Sequence, residues 1–152
     1  MGTYLVRGGK RIEGEFAVRG SKNAALPILA ACVLAADEVV LENLPQIRDV
    51  SQTLEILREL GCSVTLTERT AVIDSRDMQA IALCGEAVRK MRSSILFLGA
   101  MLGRSGAGRI AYPGGCAIGK RPIDLHLAAF RRMGVSIAEE NEILDCRAER
   151  LQ

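Results

Sequence analysis

The sequence predicts an α/β fold built from two copies of one helix-and-strand unit, and two internal alignments support this prediction. Residues 47–64, IRDVSQTLEILRELGCSV, align with residues 120–137, KRPIDLHLAAFRRMGVSI, at a constant offset of 73. Residues 22–35, KNAALPILAACVLA, resemble residues 90–103, KMRSSILFLGAMLG, at an offset of 68. Such self-similarity is typical of folds in which each repeat packs against its neighbour.

Each copy begins with an apolar helix that is followed by a short strand. The strand patterns are EVVLENLP at 38–45 and GRIAYPGG at 108–115. The apolar run at 24–36 is too short for a membrane span, which needs about 20 residues. We therefore expect buried helices, with Pro27 marking a kink or a later start of the first helix.

The second helix of each copy is amphipathic and ends at a glycine. Apolar residues recur at i, i+4 and i+7, which places them on one helical face. These residues are Val50, Leu54 and Leu57 in the first copy and Ile123, Leu127 and Phe130 in the second. Gly61 and Gly134 each follow a last turn that carries arginine, as helix-ending glycines do. Alternating residues then predict strands, so one unit is helix, strand, helix, strand, strand.

These patterns divide the chain into three segments. Residues 1–21 contain YLVRG and EFAVRG, which predict two opening strands. Residues 22–89 form the first repeat unit and residues 90–152 the second. No third copy follows, which predicts a fragment of something longer.

Two units leave apolar helix faces without a neighbour to cover them. We expect under-covered side chains at Leu29, Leu34, Phe97 and Leu102. Repeats bury their apolar faces on one another, so an unfilled position exposes the last face. We therefore predict self-association through this gap.

Composition excludes several classes of function. The 20 basic and 18 acidic side chains leave a net charge of +2, which indicates neither a nucleic-acid nor a membrane partner. Five cysteines form no C-x-x-C pair and accompany one histidine, which argues against disulfides and a zinc site. This usage favours a reduced, cytosolic protein. Four cysteines, 32, 62, 84 and 146, lie in or beside apolar segments and are expected to be small core residues.

The stretch PGGCAIGKRPIDL at 113–125 combines a turn, a thiol and two cations. Its proline and glycines place Cys116 on a loop, and Pro122 suits the first turn of the following helix. A helix start flanked by Lys120 and Arg121 favours anions and stabilises a thiolate at Cys116.

Three stretches closely resemble the N-terminal part of the bacterial UDP-N-acetylglucosamine enolpyruvyl transferases, and the resemblance covers essentially the whole chain. They are GSKNAALPILAA at 20–31, KMRSSILFLGAMLGR at 90–104 and PGGCAIGKRPIDLH at 113–126. The resemblance implies an inside-out α/β barrel of the enolpyruvyl transferase type, of which the chain holds about two of the three repeat units of one lobe.

The same resemblance implies a cytoplasmic enzyme of peptidoglycan synthesis. Members of this family transfer enolpyruvyl from phosphoenolpyruvate to UDP-N-acetylglucosamine without a metal or prosthetic group, so no cofactor is expected. The partners are the two substrates, with no nucleic acid and no membrane.

Site residues follow from the resemblance position by position. Lys22 would contact phosphoenolpyruvate, Asn23 the sugar nucleotide and Arg92 an anionic group. Cys116 would close over the site, act in protonation or product release, and be alkylated by fosfomycin; with Lys22 it forms the catalytic pair. The segment expected to cradle the uridine is Arg121, Pro122, Ile123, Asp124 and Leu125, in which Arg121 would also contact the phosphate of phosphoenolpyruvate.

Plainer interpretations stand beside these roles. Taken alone, Lys22 would be a solvated lysine at a helix start. Arg92 would be a helix arginine whose chain lies along apolar surface while its charge reaches water, and His126 would only pack.

The chain lacks the lobe that carries the family's aspartate base, so we expect it to be catalytically incompetent alone. The alternative function is a non-catalytic binding or assembly module that retains the fold. Joint retention of Lys22, Asn23, Cys116 and Arg121 favours the enzyme fragment, because a module freed from catalysis need not keep a reactive thiol.

Overall fold

The computed structural model describes residues 3–79, 81–114 and 122–152, and the predicted element order occurs in it twice. The first copy consists of α1 (Lys22–Ala35), β1 (Glu38–Leu41), α2 (Arg48–Glu59), β2 (Ser63–Thr67) and β3 (Thr70–Asp74). A short connecting region follows, with β4 (Ala82–Leu83), α3 (Glu86–Lys90) and a 3-10 turn (Arg92–Ser94). The second copy consists of α4 (Ile95–Ser105), β5 (Ala107–Ala111), α5 (Asp124–Arg132), β6 (Ser136–Glu140) and β7 (Ile143–Arg147).

The two sheets share one topology and one hairpin register. β3 lies between β1 and β2, β7 lies between β5 and β6, and all four of these pairings are antiparallel. Ser63 is opposite Asp74 in the first hairpin, and Ser136 is opposite Arg147 in the second. Each residue of the second pair lies 73 positions after its counterpart in the first pair. The backbone pairing therefore confirms the repeat predicted from the alignment. β4 extends the second sheet by pairing parallel to β5.

The ends of α2 and α5 confirm the predicted glycine stops. Gly61 has φ of +92°, its N–H donates to the carbonyl of Arg58 at 2.9 Å, and the next N–H donates to Leu57 at 3.0 Å. This pair of bonds is a Schellman motif, which satisfies carbonyls that the helix end leaves open. The same motif ends α5: the N–H of Gly134 (φ +88°) donates to the carbonyl of Arg131, and the N–H of Val135 donates to the carbonyl of Phe130.

α1 begins at Lys22 and continues through Pro27, so the later start considered from the sequence does not occur. Proline has no N–H, so the carbonyl of Asn23 lacks its usual helical donor four residues on. Within the described ranges, no helix combines the length and apolar character required to cross a membrane.

The core lies between helices and the inner faces of the sheets. α1 packs against α2 and α4. The largest fully buried side chains are helical, with strand residues completing the core: Leu29, Leu54, Leu57, Phe97, Leu98, Met101, Ile73 and Ile110. The apolar composition of α1 and α4 suits both helices to this interior position, although part of α1 remains exposed.

The expectation of four under-covered helix residues is wrong for three of them. Leu29, Phe97 and Leu102 are buried, because α1 and α4 cover each other. Leu34, in the last turn of α1, is 52% exposed, and Ile28 on the same helix is 49% exposed.

The prediction of opening strands is wrong for this chain. Residues 3–20 are all described and none of them belongs to a strand. The apolar side chains of this segment are exposed, among them Tyr4, Val6, Ile12, Phe16 and Val18. An isolated two-stranded ribbon is marginal in water, and residues 3–20 pair with neither of the two sheets.

Pro122 also lies outside the helix in which the sequence placed it. α5 begins at Asp124, because Ile123 has non-helical angles (φ −116°, ψ 11°) and occupies the N-cap position. The first helical turn therefore starts two residues after the proline.

Candidate active site

One cleft of about 670 Å³ gathers the starts of four helices. The polar and charged residues that line it come from α1, from α2, from α3 and the 3-10 turn before α4, and from α5: Lys22, Asn23, Asp49, Gln52, Lys90, Arg92, Ser93 and His126. Three of the predicted site residues, Lys22, Asn23 and Arg92, thus lie together although Arg92 is far from the others in sequence.

Helix starts favour anions in this cleft. The first N–H groups of a helix have no partner within it, and the helix dipole makes that end positive. Ser21, the N-cap of α1, makes no side-chain hydrogen bond to the first turn. The opening N–H groups of α1 are therefore not capped by that side chain, which leaves them suited to an anionic ligand.

Lys22 and Asp49 form an ion pair across the cleft. Lys22 is the first residue of α1 and Asp49 lies in the first turn of α2, so the pair connects the two helix starts. The side chain of Lys22 remains 53% exposed and that of Asp49 29% exposed. The ammonium is therefore anchored within reach of solvent and of any ligand.

Arg92 is held at the cleft by the buried residues around it. The hydroxyl of Ser94 donates to the carbonyls of Val88 at 3.1 Å and Met91 at 2.7 Å, which fixes the 3-10 turn. Met91 in turn accepts a bond from the hydroxyl of Thr53 on α2 at 3.6 Å. Arg92 itself is exposed and has no ion-pair partner among residues 3–79, 81–114 and 122–152. Its guanidinium charge is available to an anion.

Lys90 lines the same cleft from the end of α3, and its ammonium lies 2.6 Å from the carboxylate of Glu86. The hydrogen bond from Lys90, reinforced by its charge, lowers the pKa of Glu86 below the ordinary glutamate value. Glu86 therefore stays ionised in mildly acidic solution, and its ion pair with Lys90 persists there.

The predicted uridine segment lies partly beside the cleft and partly in the core. Ile123 is buried, whereas Pro122, Asp124 and Leu125 are exposed, and none of these four is among the cleft-lining residues. Cys116 and Arg121 lie outside the residues that the structure describes.

Sequence reasoning missed several residues of the cleft. His126 was expected only to pack, yet it is exposed and lines the cleft from α5. Asp49, Gln52 and Lys90 carry no motif of their own. The feature that these residues share is their position, since each lies at or beside a helix end that faces the cleft.

Two further features of the described residues bear on function: the arrangement of possible metal ligands and a second depression. Within residues 3–79, 81–114 and 122–152, no group of three or more His, Cys, Asp or Glu side chains is arranged to hold a metal ion. A depression of about 430 Å³ lies along β5, β6 and β7. It mixes Arg109 and Arg147 with Glu140 and Asp145, so opposite charges offset one another there.

The repeated units and their shared cleft define the class of protein as an enolpyruvyl transferase fold. The enolpyruvyl transferase NikO from Streptomyces tendae superposes with a TM-score of 0.78 at 25% identity, covering 95% of this chain and 32% of that one. An EPSP synthase from Acinetobacter baumannii shares the fold, with a TM-score of 0.67 at 19% identity over 91% of this chain and 33% of that one. The fold class predicted from the sequence is confirmed.

The sequence model of the EPSP synthase (3-phosphoshikimate 1-carboxyvinyltransferase) family matches residues 6–149, and the chain belongs to this family. Within it, the chain is 42% identical over 152 residues to UDP-N-acetylglucosamine 1-carboxyvinyltransferase 2 of Caldanaerobacter subterraneus subsp. tengcongensis. It is 43% identical over 147 residues to UDP-N-acetylglucosamine 1-carboxyvinyltransferase of Desulforapulum autotrophicum. These alignments cover 100% and 97% of this chain but 36% and 35% of the relatives' lengths.

Proposed function

We propose that this chain supplies part of the substrate site for transfer of enolpyruvyl from phosphoenolpyruvate to UDP-N-acetylglucosamine. The observation that carries the proposal is the convergence of Lys22, Asn23 and Arg92 on one cleft at the helix starts. Phosphoenolpyruvate carries a phosphate and a carboxylate, and preorganised cations and N–H groups stabilise such charge. The names of the curated relatives support this pair of substrates.

Each proposed role follows the chemistry of its side chain. Lys22 and Arg92 bind the anionic groups of phosphoenolpyruvate, and Asn23 hydrogen-bonds the sugar nucleotide through its amide. Pro122, Ile123, Asp124 and Leu125, with Arg121, border the uridine. Because Ile123 is buried, its contribution comes through the backbone. Cys116 acts as the loop thiol in protonation or product release and as the target of fosfomycin.

The reaction that we propose for the whole enzyme is an addition followed by an elimination. A sugar hydroxyl adds to the central carbon of phosphoenolpyruvate while a base takes the hydroxyl proton and an acid protonates the methylene carbon. A proton then leaves the resulting methyl group as phosphate departs, which restores the carbon–carbon double bond. The described cleft supplies cations but offers Asp49 as its only carboxylate, and Lys22 already engages it. Loss of a general base costs about 10²–10⁴-fold. We therefore propose that the 152-residue chain does not turn over alone.

The wider biology is proposed on the same basis. The enzyme acts in peptidoglycan synthesis in the cytoplasm, its partners are the two substrates, and it binds neither nucleic acid nor membrane. The chain also self-associates through exposed apolar residues of α1, Ile28 and Leu34.

Fosfomycin labelling of the purified chain tests this function. Intact-mass and peptide-mapping measurements should find one adduct, on Cys116, that forms faster when UDP-N-acetylglucosamine is present. Arg92→Ala should slow the adduct, because the phosphonate loses a cation, and Asn23→Ala should remove the acceleration by the sugar nucleotide. Arg150→Ala, which changes an exposed arginine outside the cleft, is the matched control.

The outcomes separate the proposed function from its alternative. A rate of adduct formation that depends neither on the sugar nucleotide nor on the cleft variants would overturn the proposed site. Sugar-nucleotide binding without any adduct would favour the non-catalytic module. Phosphate release from both substrates that Cys116→Ser abolishes would overturn the proposed incompetence of the chain.

A further inference from the structure

The backbone around Lys90 is held by hydrogen bonds, while its side chain is half exposed to solvent. At the start of α3, the N–H of Gly85 donates to the carboxylate of Glu59 at 3.1 Å. At its end, the hydroxyl of Ser94 bonds the carbonyls of Val88 and Met91. A Cβ at Gly114 would overlap the carbonyl oxygen of Arg89, so the segment that follows β5 also packs against this helix end.

The partner of Lys90 lies outside the cleft. Lys90 lines the cleft next to Arg92, whereas Glu86 is not among its lining residues and its side chain is 80% exposed. Exposed ion pairs one helical turn apart stabilise a protein only weakly, since water screens both charges. A ligand anion in the cleft can therefore compete with Glu86 for the ammonium of Lys90.

The charge balance of the cleft leaves a place for such a cation. Lys22 is already paired with Asp49, so part of its charge is offset before any ligand arrives. Among the cleft residues that the structure describes, Arg92 is then the one lysine or arginine without a carboxylate partner, and the ligand carries both a phosphate and a carboxylate. A further cation beside Arg92 would offset more of that charge, and charge-assisted hydrogen bonds of this kind are among the stronger polar contacts.

We propose that Lys90 binds an anionic group of phosphoenolpyruvate, and that Glu86 holds its ammonium aside while the cleft is empty. This inference rests on the proposed function, because it adds a specificity-determining residue to the same site. Glu86 thereby acts as a competing carboxylate, and its removal strengthens ligand binding instead of weakening it.

Calorimetric titration of phosphoenolpyruvate into the chain saturated with UDP-N-acetylglucosamine tests the inference. Lys90→Met should weaken binding by about 3- to 10-fold, and Glu86→Gln should strengthen it by about 2- to 3-fold. Lys10→Met and Glu55→Gln change net charge equally at exposed positions outside the cleft and serve as matched controls. Circular dichroism verifies that each variant keeps its fold.

A double-mutant cycle decides between direct binding and a general charge effect. If Glu86 acts by holding Lys90, Glu86→Gln has no effect in the Lys90→Met background. An unchanged Glu86→Gln effect there, or a Lys90→Met effect no larger than that of Lys10→Met, overturns the inference. Arg92→Ala separates the two proposals. If Arg92→Ala weakens binding and Lys90→Met leaves it unchanged, the role of Lys90 is disproved and the proposed site stands. If the unmodified chain does not bind phosphoenolpyruvate, the proposed site and this inference both fail.

Discussion

The ammonium of Lys22 and the carboxylate of Asp49 form an ion pair that joins the first residue of α1 to the first turn of α2. The pair places a cation at the centre of the cleft, and it also places a carboxylate where an anionic ligand must bind. Asp49 therefore has two opposing effects: it orients Lys22 and it repels the ligand.

Asp49→Asn should raise the affinity of the chain for phosphoenolpyruvate by about 3- to 10-fold, because one negative charge leaves the cleft. The amide keeps the shape of the carboxylate, so Lys22 retains a hydrogen-bond acceptor. Calorimetric titration in low salt measures the change, and Asp77→Asn, at an exposed position outside the cleft, is the matched control. Weaker binding by Asp49→Asn would show that orientation of Lys22 outweighs repulsion.

The two helix-ending glycines provide a paired test of the repeat. Gly61→Ala and Gly134→Ala should each lower the free energy of unfolding by about 1–2 kcal/mol, because alanine is strained at positive φ. Both positions have ordinary space for a Cβ, so backbone strain is the main cost. Urea unfolding measures the loss, and Gly8→Ala, which meets open space, should change stability by less than about 0.5 kcal/mol. A neutral Gly61→Ala would contradict the Schellman assignment.

Arg104 ties the second unit to the first. Its guanidinium donates to the carbonyl of Val33 at 2.8 Å, to the hydroxyl of Ser75 at 3.1 Å and to the carbonyl of Arg76 at 3.3 Å. Ser75 is buried and donates in turn to the carbonyl of Cys32 at 3.0 Å. This network connects α4 with the end of α1 and with the residues that follow β3.

Arg104→Met should lower the free energy of unfolding by about 2–4 kcal/mol, since it leaves buried acceptors without donors. Arg150→Met, at an exposed position, controls for the loss of a charge. A loss no greater than that of the control would mean that water replaces the guanidinium at these carbonyls.

The repeat and its element order could be predicted from the sequence because they depend on local, periodic signals. The helix at 22–35, the stripes of α2 and α5 and the glycine stops all follow from spacing within short segments. The strand pairing and its register are findings of the structure. Lys22, Asn23 and Arg92 were predicted through motif resemblance, and the fold brings them to one cleft.

The lack of strands in residues 3–20 and part of the cleft could not be predicted, for two different physical reasons. Strand pairing in residues 3–20 depends on a partner surface, and alternation alone does not supply one. Asp49, Lys90 and His126 join the cleft through the packing of separate elements, so no local pattern distinguishes them from solvated surface residues. Cys84 was expected in the core and is only half-buried, because it follows β4, a two-residue strand at the edge of its sheet.

Buried thiols should resist alkylation in the folded chain. Burial raises the pKa of Cys32 and Cys146 to about 11 from the ordinary value of 9.0, and it raises the pKa of Cys62 as well. A thiol pKa of about 11 in place of 9.0 reduces the thiolate fraction near pH 8 by roughly 100-fold. Iodoacetamide labelling with peptide mapping should leave these three unmodified until urea unfolds the chain. Fast native labelling of Cys146 would contradict the burial of β7.

Self-association should depend on the exposed apolar residues of α1. Leu34 and Ile28 are 52% and 49% exposed, on the face of α1 opposite the one that packs in the core. Burying such side chains between copies removes apolar surface from water, at about 25 cal/mol per Å². Light scattering over a dilution series should show a mass that rises with concentration, and Ile28→Gln combined with Leu34→Gln should lower it toward the monomer. Leu125→Gln, which changes an exposed leucine on α5, should leave the association unchanged. A monodisperse monomer at every concentration of the unmodified chain would rule out this mode of assembly.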